Sequence, residues 1–141
     1  MRPSQSSSVA GAPQQPSILV VDDEPSQRLL TCRALQREGY RVREASDGAA
    51  ALRILHQHPR EFALVITDLV MPVMDGGELA RRLLLSPSHP RVLLVSGYPP
   101  DMLRALGVEF PSLPFLQKPF TAEQLAETVR ALAQTSQLRR A

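Results

Sequence analysis

The sequence predicts an α/β fold, a five-stranded parallel sheet that is doubly wound, with helices on both faces. Short and almost wholly apolar runs recur along the chain, and they alternate with segments whose apolar residues are three or four positions apart. Two of these runs, at 18–21 and 62–67, are typical of strands covered on both faces. Strands and helices in strict alternation pack most simply as one parallel sheet with helical crossovers.

The first two strand–helix units occupy residues 18–57. A continuous apolar run at 18–21 predicts a strand, and the helix at 26–38 begins after Pro25 and stops at Gly39. The next strand alternates apolar and charged residues, which indicates a more exposed position, and an Asp-Gly turn precedes the second helix. This second unit comprises a strand at 40–45 and a helix at 48–57.

The other three units occupy residues 62–135. The third strand is apolar throughout, and Gly76 opens the helix after it. A proline pair precedes a short fourth helix that stops at a glycine, and Thr121 with Gln124 forms a capping-box pattern before the last helix. The strands of these units are at 62–67, 91–95 and 113–116, and the last two helices are at 99–106 and 121–135.

Composition limits the class of protein. The chain has 141 residues, of which 43% are hydrophobic and 4% aromatic, so the core must be aliphatic. The net charge of +2, without a block of like charges, does not indicate nucleic-acid binding. No apolar segment is long enough to span a membrane, and the N-terminus lacks the apolar middle of a signal peptide, so we expect a cytoplasmic protein. Cys32, the single cysteine, is expected to be a buried small hydrophobe.

One domain accounts for most of the chain. Residues 1–16 are rich in Ser, Gln and Pro and are predicted to be a flexible lead. Residues 17–135 form the predicted domain, and residues 136–141 are expected to be a flexible tail.

Polar side chains follow four of the five predicted strands. Asp22 and Asp23 close the first strand, Asp68 the third, Ser96 the fourth and Lys118 the fifth. The carboxyl ends of parallel strands lie at one edge of a sheet, where such folds keep their binding sites. Two carboxylates ~4 Å apart repel by about 4 kcal/mol at an effective dielectric of 20, so we expect the site to bind a cation. Oxygen ligands without Cys or His suit Mg²⁺ or Mn²⁺.

Asp68 differs from the aspartate pair because it follows the central strand and precedes a Met-Pro loop. A carboxylate in that position can attack phosphorus and yield an acyl phosphate. The attack requires neutralisation of the transferring group, which a metal ion and the Lys118 ammonium would supply. The Ser96 hydroxyl could donate to a phosphoryl oxygen, and Gly97 leaves the approach open.

Four motifs carry a resemblance to a known family: Val-Asp-Asp-Glu-Pro at 21–25, Asp-Leu-Val-Met-Pro-Val-Met-Asp-Gly at 68–76, Val-Ser-Gly-Tyr at 95–98 and Phe-Leu-Gln-Lys-Pro-Phe at 115–120. In this order and spacing they resemble the response-regulator receiver domain of two-component phosphorelays. The resemblance covers the chain from about Ser17 to Ala133, and it implies the flavodoxin-like (βα)5 receiver fold.

The resemblance implies a role for each acidic residue. Asp68 would accept the phosphoryl group from a phosphohistidine. Asp22 and Asp23 would bind Mg²⁺ together with Asp68 and the backbone carbonyl of Val70. Val70 and Tyr98 stand where this family tunes hydrolysis, and the apolar Val70 predicts a relatively long-lived phosphoryl group.

The resemblance also implies a switch. Ser96 would be the switch hydroxyl, Lys118 would contact a phosphoryl oxygen and Phe115 would be the switch aromatic. The Lys118-Pro119 peptide bond is expected to be cis. The surface made by the elements at 99–106, 113–116 and 121–135 would then differ between states, and we expect two of the three large apolar residues of the fourth helix in the core. Those three residues are Met102, Leu103 and Leu106.

The function predicted is that of a stand-alone, single-domain response regulator, not an enzyme beyond its own phosphorylation and dephosphorylation. Its phosphodonor would be a histidine kinase or a phosphotransfer protein, and its output a downstream protein target. No direct DNA binding is expected, and the chain would be a monomer or weak dimer. The alternatives are a receiver domain excised from a hybrid histidine kinase, a small phosphatase with an Asp nucleophile, and a binding module of the same fold that is not phosphorylated.

Overall fold

The structure, a computed structural model, describes residues 17–140, with side chains described as far as Ala133. Five strands and five helices alternate along this part of the chain. They are β1 (Ser17–Val21), α1 (Pro25–Arg37), β2 (Arg41–Ala45), α2 (Gly48–Gln57), β3 (Phe62–Asp68), α3 (Gly76–Leu84), β4 (Arg91–Ser96), α4 (Pro100–Ala105), β5 (Phe115–Gln117) and α5 (Ala122–Arg140). The predicted lead at 1–16 lies outside the described residues.

All strand pairs are parallel, and the order across the sheet is β2-β1-β3-β4-β5. The chain moves outward in one direction from β1 to β2, and in the other from β3 to β5. The strand order therefore reverses between β1 and β3, which leaves a crevice at their carboxyl ends. The predicted doubly wound five-stranded fold is confirmed.

The sheet separates two aliphatic cores. Successive residues of a strand point to opposite faces, so Leu19 and Val21 pack with α2, α3 and α4, whereas Ile18 and Val20 pack with α1 and α5. Each inner strand is therefore buried on both faces, as its continuous apolar run predicts. The edge strand β2 buries only its last residue, Ala45, in agreement with its alternating sequence.

Side-chain caps define the helix starts. Glu24 accepts hydrogen bonds from the backbone N–H groups at the start of α1, and Pro25 occupies the first helical position. At α5, the Thr121 hydroxyl accepts from the N–H of Gln124, while the Gln124 side chain accepts from the N–H of Thr121. The predicted capping box is confirmed. None of the helices described between residues 17 and 140 has the length and apolarity to cross a membrane.

Two elements differ in extent from the prediction. The last strand covers Phe115–Gln117 rather than 113–116, because Pro114 has no N–H to donate to the ladder and only its carbonyl bonds to Leu94. Helix α5 continues to Arg140 rather than 135, since no Gly or Pro interrupts its C-terminal sequence. The predicted tail is thus helical through residue 140, and Ala141 lies outside the described residues.

The burial of individual side chains tests two further expectations. Cys32 is buried, and its burial, followed by the nearby Glu44 carboxylate, raises the pKa of its thiol to about 11, in agreement with an unreactive apolar role. In α4 only Leu103 is buried, while Met102 and Leu106 are 47% and 66% exposed. The expectation of two core residues there is wrong. Met102 is adjacent to Leu103 and therefore lies on another side of the helix, and Leu106 is the C-cap, after the last helical residue.

The loop from β3 to α3 makes a tight return. A side chain at Gly76 would clash with the backbone carbonyl of Asp68, so this close approach requires glycine. Within the loop, the N–H of Met74 donates to the carbonyl of Pro72 at 2.8 Å, which closes a three-residue γ-turn. Its central residue, Val73, has φ 68° and is fully exposed. A β-branched residue in this region is strained, and here no packing offsets the strain.

We predict that Val73→Gly stabilises the fold. Glycine removes the left-handed strain of about 1–2 kcal/mol per residue and sacrifices no buried contact. The more flexible unfolded chain offsets part of this gain, so the expected net increase in unfolding free energy is about 0.5–1 kcal/mol. Urea denaturation measures it, with Val70→Gly, at an exposed site in the same loop whose φ is not positive, as the control. Val70→Gly carries only the unfolded-state cost and should lower the stability, so a Val73→Gly variant destabilised as much as this control would contradict the strain.

Candidate functional site

Three carboxylates meet at the crevice between β1 and β3. Asp22 and Asp23 follow β1 directly, and Asp68 is the last residue of β3. One oxygen from each lies within 4.8 Å of the others. Asp22 is buried, Asp68 half-buried and Asp23 exposed, so the cluster opens to solvent on one side. The predicted convergence of these residues is confirmed by the geometry.

Lys118 provides the positive charge of the site. Its Nζ lies 3.0 Å from Asp22 Oδ2 and 3.5 Å from Asp68 Oδ2, with 17% of its side chain exposed. The residue follows β5 directly, and its N–H donates to the Ser96 carbonyl at 2.7 Å. The Lys118-Pro119 bond is cis, as expected. Among side chains of residues 17–133, no other cation forms an ion pair with the trio.

Asp22 is held at each of its polar atoms. Its N–H donates to the Ala45 carbonyl at 3.2 Å, and its carbonyl accepts from Arg28 at 2.7 Å. One carboxylate oxygen accepts from the N–H of Glu24 at 3.0 Å, and the other accepts from Lys118. In contrast, the exposed Asp23 carboxylate has no hydrogen-bond partner within the described part of the chain. Hydrogen bonds thus fix the Asp22 carboxylate directly, whereas the position of the Asp23 carboxylate depends on the backbone of the turn.

Burial dominates the electrostatics of Asp68. It raises the pKa of this carboxyl above the usual aspartate value, and the Asp22 charge raises it further. The Lys118 ammonium and a hydrogen bond from the backbone N–H of Val70 act in the opposite direction but do not cancel the effect. An extra positive charge in the crevice would lower this pKa again and stabilise the ionised carboxylate.

Ser96 and Phe115 occupy separate positions. Ser96 is buried at the end of β4, one residue beyond the register partner of Asp68, and its Oγ accepts from the N–H of Tyr98 at 3.1 Å. Phe115 pairs in register with Leu94 and packs against the core beneath α4, with its ring centroid 6.4 Å from that of Phe110. The structure therefore brings Ser96 to the edge of the site and Phe115 to the face behind it.

The mouth of the crevice is partly apolar. Val70 and Tyr98, on the loops that follow β3 and β4, are 51% and 49% exposed. Val70 also directs its N–H at the Asp68 carboxylate. These two side chains at the rim are therefore bulky and uncharged.

The donor set fits a hard divalent cation. Three carboxylate oxygens are close enough to share one ion, no Cys or His accompanies them, and the exposed side leaves room for water ligands. The cluster could hold a metal, and Asp68 is both a potential ligand and the residue with a raised pKa.

The comparison with known families assigns the chain. Residues 18–130 match the response regulator receiver domain, and the chain belongs to this family. Such domains act in two-component systems, where they accept phosphoryl groups from histidine kinases or phosphotransfer proteins.

Individual relatives show two contexts for the domain. The sensor kinase CckA of Brucella abortus (strain 2308) is 40% identical over 118 residues, which are 82% of this chain and 12% of the kinase. The response regulator receiver protein CpdR of the same organism is 31% identical over 115 residues, 82% of this chain and 94% of CpdR. The chain spans 48% of a third relative, the response regulator GtcR of Aneurinibacillus migulanus.

The fold is likewise shared with solved structures. A response regulator receiver domain protein from Clostridium thermocellum superposes with a TM-score of 0.74 at 27% identity, over 87% of this chain and 98% of the other. The two chains therefore share the receiver fold although fewer than a third of their aligned residues are identical.

Sequence reasoning missed the residues that support the trio. Arg28 and Glu44 lie on α1 and β2, and their side chains bond at 2.8 Å beside the β1–α1 turn. Neither follows a strand end or belongs to an apolar pattern, so periodicity gave no signal for them. Glu24 was also missed as the N-cap of α1, because glutamate is not among the residues preferred at that position.

We predict that metal-free Asp68→Asn is more stable than the wild type at neutral pH. A folded-state pKa above the unfolded value means that the folded protein binds more protons in the window between them, so stability falls as pH rises through it. The asparagine variant lacks this loss, and Asp22 keeps its pairing with Lys118. Thermal unfolding with EDTA should give the variant the higher midpoint at pH 7.

The difference in midpoint between Asp68→Asn and the wild type should shrink below pH ~3.9, the ordinary aspartate pKa. There the Asp68 carboxyl is protonated in both the folded and the unfolded protein. Asp101→Asn, on the exposed first turn of α4, is the control and should leave the midpoint nearly unchanged. An equal or lower midpoint for Asp68→Asn at pH 7 would contradict the cost of ionising this group.

Proposed function

We propose that the chain transmits a signal by accepting a phosphoryl group on Asp68 and changing a protein-interaction surface in response. The observation that carries this proposal is the contact of Asp68 with Lys118 inside a trio of carboxylates at the sheet's crevice. The Asp68 oxygen would attack phosphorus as the bond from phosphorus to the donor nitrogen breaks. The product is an aspartyl phosphate, and the donor histidine leaves without its phosphoryl group.

The site residues divide the work of the transfer. Asp22 and Asp23, with Asp68 and the Val70 carbonyl, would hold Mg²⁺ or Mn²⁺, and the ion when bound would supply positive charge to the phosphoryl oxygens. Lys118 would place its ammonium on another of these oxygens, since it already lies beside Asp68. The half-buried position of Asp68 limits the water that competes with the donor.

The signal would leave the site through Ser96 and Phe115. The Ser96 Oγ now accepts from the N–H of Tyr98, and a phosphoryl oxygen would offer a charged acceptor to the Ser96 O–H. Movement of Ser96 toward the phosphoryl group would free space into which Phe115 rotates. Two packings of α4 and β5 would then exchange in population, with phosphorylation favouring one of them.

The phosphodonor is proposed to be a histidine kinase or a phosphotransfer protein, and the output a protein target. The similarity to CpdR, which the chain nearly spans, supports a stand-alone regulator. The similarity to a segment of CckA supports the alternative, a receiver domain of a hybrid histidine kinase. The cytoplasmic location, the monomeric or weakly dimeric state and the lack of DNA binding stay predictions, as does the flexibility of the two termini.

The other two alternatives have less support. A small phosphatase would need an insert that binds a substrate, and between residues 17 and 140 each helix connects directly to the next strand. A binding module without phosphorylation would not require Lys118 to stand between Asp22 and Asp68.

We predict that acetyl phosphate with Mg²⁺ adds about 80 Da to the intact protein, the mass of one phosphoryl group in exchange for a proton. EDTA should prevent the addition, because the repulsion among the carboxylates is then uncompensated. Intact-mass spectrometry measures it. Asp68→Ala should abolish the shift, whereas Asp101→Ala should retain it; a shift that persists in Asp68→Ala would place the phosphoryl group elsewhere.

We predict a relatively long-lived phosphoryl group. The Val70 side chain has no polar atom with which to orient an attacking water, and Tyr98 stands at the same mouth of the crevice. Val70→Asn introduces an amide there and should shorten the lifetime up to about tenfold, the kinetic equivalent of one ~1.4 kcal/mol interaction. The decay of the +80 Da species after removal of acetyl phosphate measures both lifetimes. Loss from the wild type within seconds would contradict the prediction.

A further inference from the structure

Arg28 makes an unusual pair of contacts beside the acidic trio. It lies in the first turns of α1, and its side chain turns back over the β1–α1 connection. One guanidinium nitrogen donates to the Asp22 carbonyl at 2.7 Å, and another donates to the Glu44 carboxylate at 2.8 Å. Its side chain is 18% exposed, although no part of the phosphoryl chemistry requires a guanidinium there.

The two contacts join three elements at one point. The Asp22 carbonyl belongs to the turn after β1, Arg28 belongs to α1, and Glu44 is on β2. The guanidinium is planar and rigid, so two hydrogen bonds from it fix direction as well as distance. The turn that carries both aspartates is thereby attached to the helix after it and to the neighbouring strand.

Asp23 explains why this attachment matters. Its exposed carboxylate has no partner of its own within the described residues, so only the backbone of the turn determines where it points. The Asp22 side chain is bound to Glu24 and Lys118, but these contacts do not hold the carbonyl that leads into Asp23. Arg28 holds that carbonyl.

We infer that Arg28 is a positioning residue for divalent-cation binding, and that it acts by holding the β1–α1 turn so that the Asp22 and Asp23 carboxylates converge with Asp68. This inference rests on the proposed function only in taking the trio as the Mg²⁺ site. Supporting groups behind metal ligands commonly change metal affinity when they are removed.

A second possible role of Arg28 has the opposite sign. A guanidinium near three carboxylates repels an incoming cation, so a residue that acted by charge alone would weaken Mg²⁺ binding, and its removal would tighten it. A positioning residue strengthens binding, and its removal weakens it. The direction of the change therefore separates the two roles.

The test compares Mg²⁺ affinity of the wild type, Arg28→Met and Arg33→Met by calorimetry, with amide NMR shifts as a second measure. Arg28→Met keeps an unbranched apolar stem but loses both hydrogen bonds, and its dissociation constant should rise roughly tenfold. Arg33→Met removes an exposed charge from the same helix and should leave the constant within about twofold of the wild type, since exposed charges are strongly screened. Arg28→Lys can restore one of the two hydrogen bonds and should give an intermediate constant.

A rise of less than about threefold, or tighter binding, in Arg28→Met would overturn the inference, because neither agrees with loss of a positioning contact. Should Arg28→Met fail to fold, Arg28→Lys provides the same comparison with the wild type. A wild type that binds no Mg²⁺ would instead contradict the proposed function itself. A change in melting temperature without a change in the dissociation constant of the folded protein would show that Arg28 only stabilises the fold, and would also overturn the inference.

Discussion

The repulsion among Asp22, Asp23 and Asp68 is the constraint on which the rest of the site depends. At the distances observed, one ammonium serves three carboxylates, so the site is short of positive charge whatever else surrounds it. Burial of Asp68 makes the shortage more severe, which its raised pKa expresses. A cation relieves the shortage, whereas conversion of Asp68 to an acyl phosphate would add negative charge and deepen it. The conflict among the carboxylates thus favours binding of an ion, and the ion would have to be present for a phosphoryl group to be accepted.

A conflict of this kind needs a rigid frame. The carboxylates follow strands buried on both faces, and each face packs its own aliphatic core. The close contact of Gly76 with the Asp68 carbonyl fixes the return of the chain after β3, while Arg28 and Lys118 tie the turn after β1 to α1, β2 and β5. Stability of the folded core therefore offsets the unfavourable interaction at its edge, as is common where function requires strain or unpaired charge.

The sequence predicted the elements that have strong local signals. Apolar runs ending at Asp68 and Ser96 identified the inner strands, and the Thr121 capping box marked the start of α5. The trio could be predicted because the carboxyl ends of parallel strands share an edge. The prediction was less accurate where tertiary contacts decide. Pro114 has no N–H for the strand ladder, so β5 begins one residue after it, at Phe115. A search for apolar runs does not detect this effect.

The role of Arg28 could not be predicted from the sequence for a related reason. Its partners, the Asp22 carbonyl and Glu44, are close only after α1 and β2 have packed on β1.

Helix α4 is short and has one buried residue, Leu103. The apolar residues beside Leu103 therefore do not belong to the core, although their type suggests that they would. These properties make α4 the element most easily displaced. No side chain caps its first turn. A short series of contacts joins it to β5: Arg104 stacks 4.7 Å above the ring of Phe110, and this ring contacts that of Phe115. Few buried contacts would have to be broken to move it, so under the proposed function a change of a few kcal/mol at Asp68 would be enough to alter its position while the sheet stays fixed.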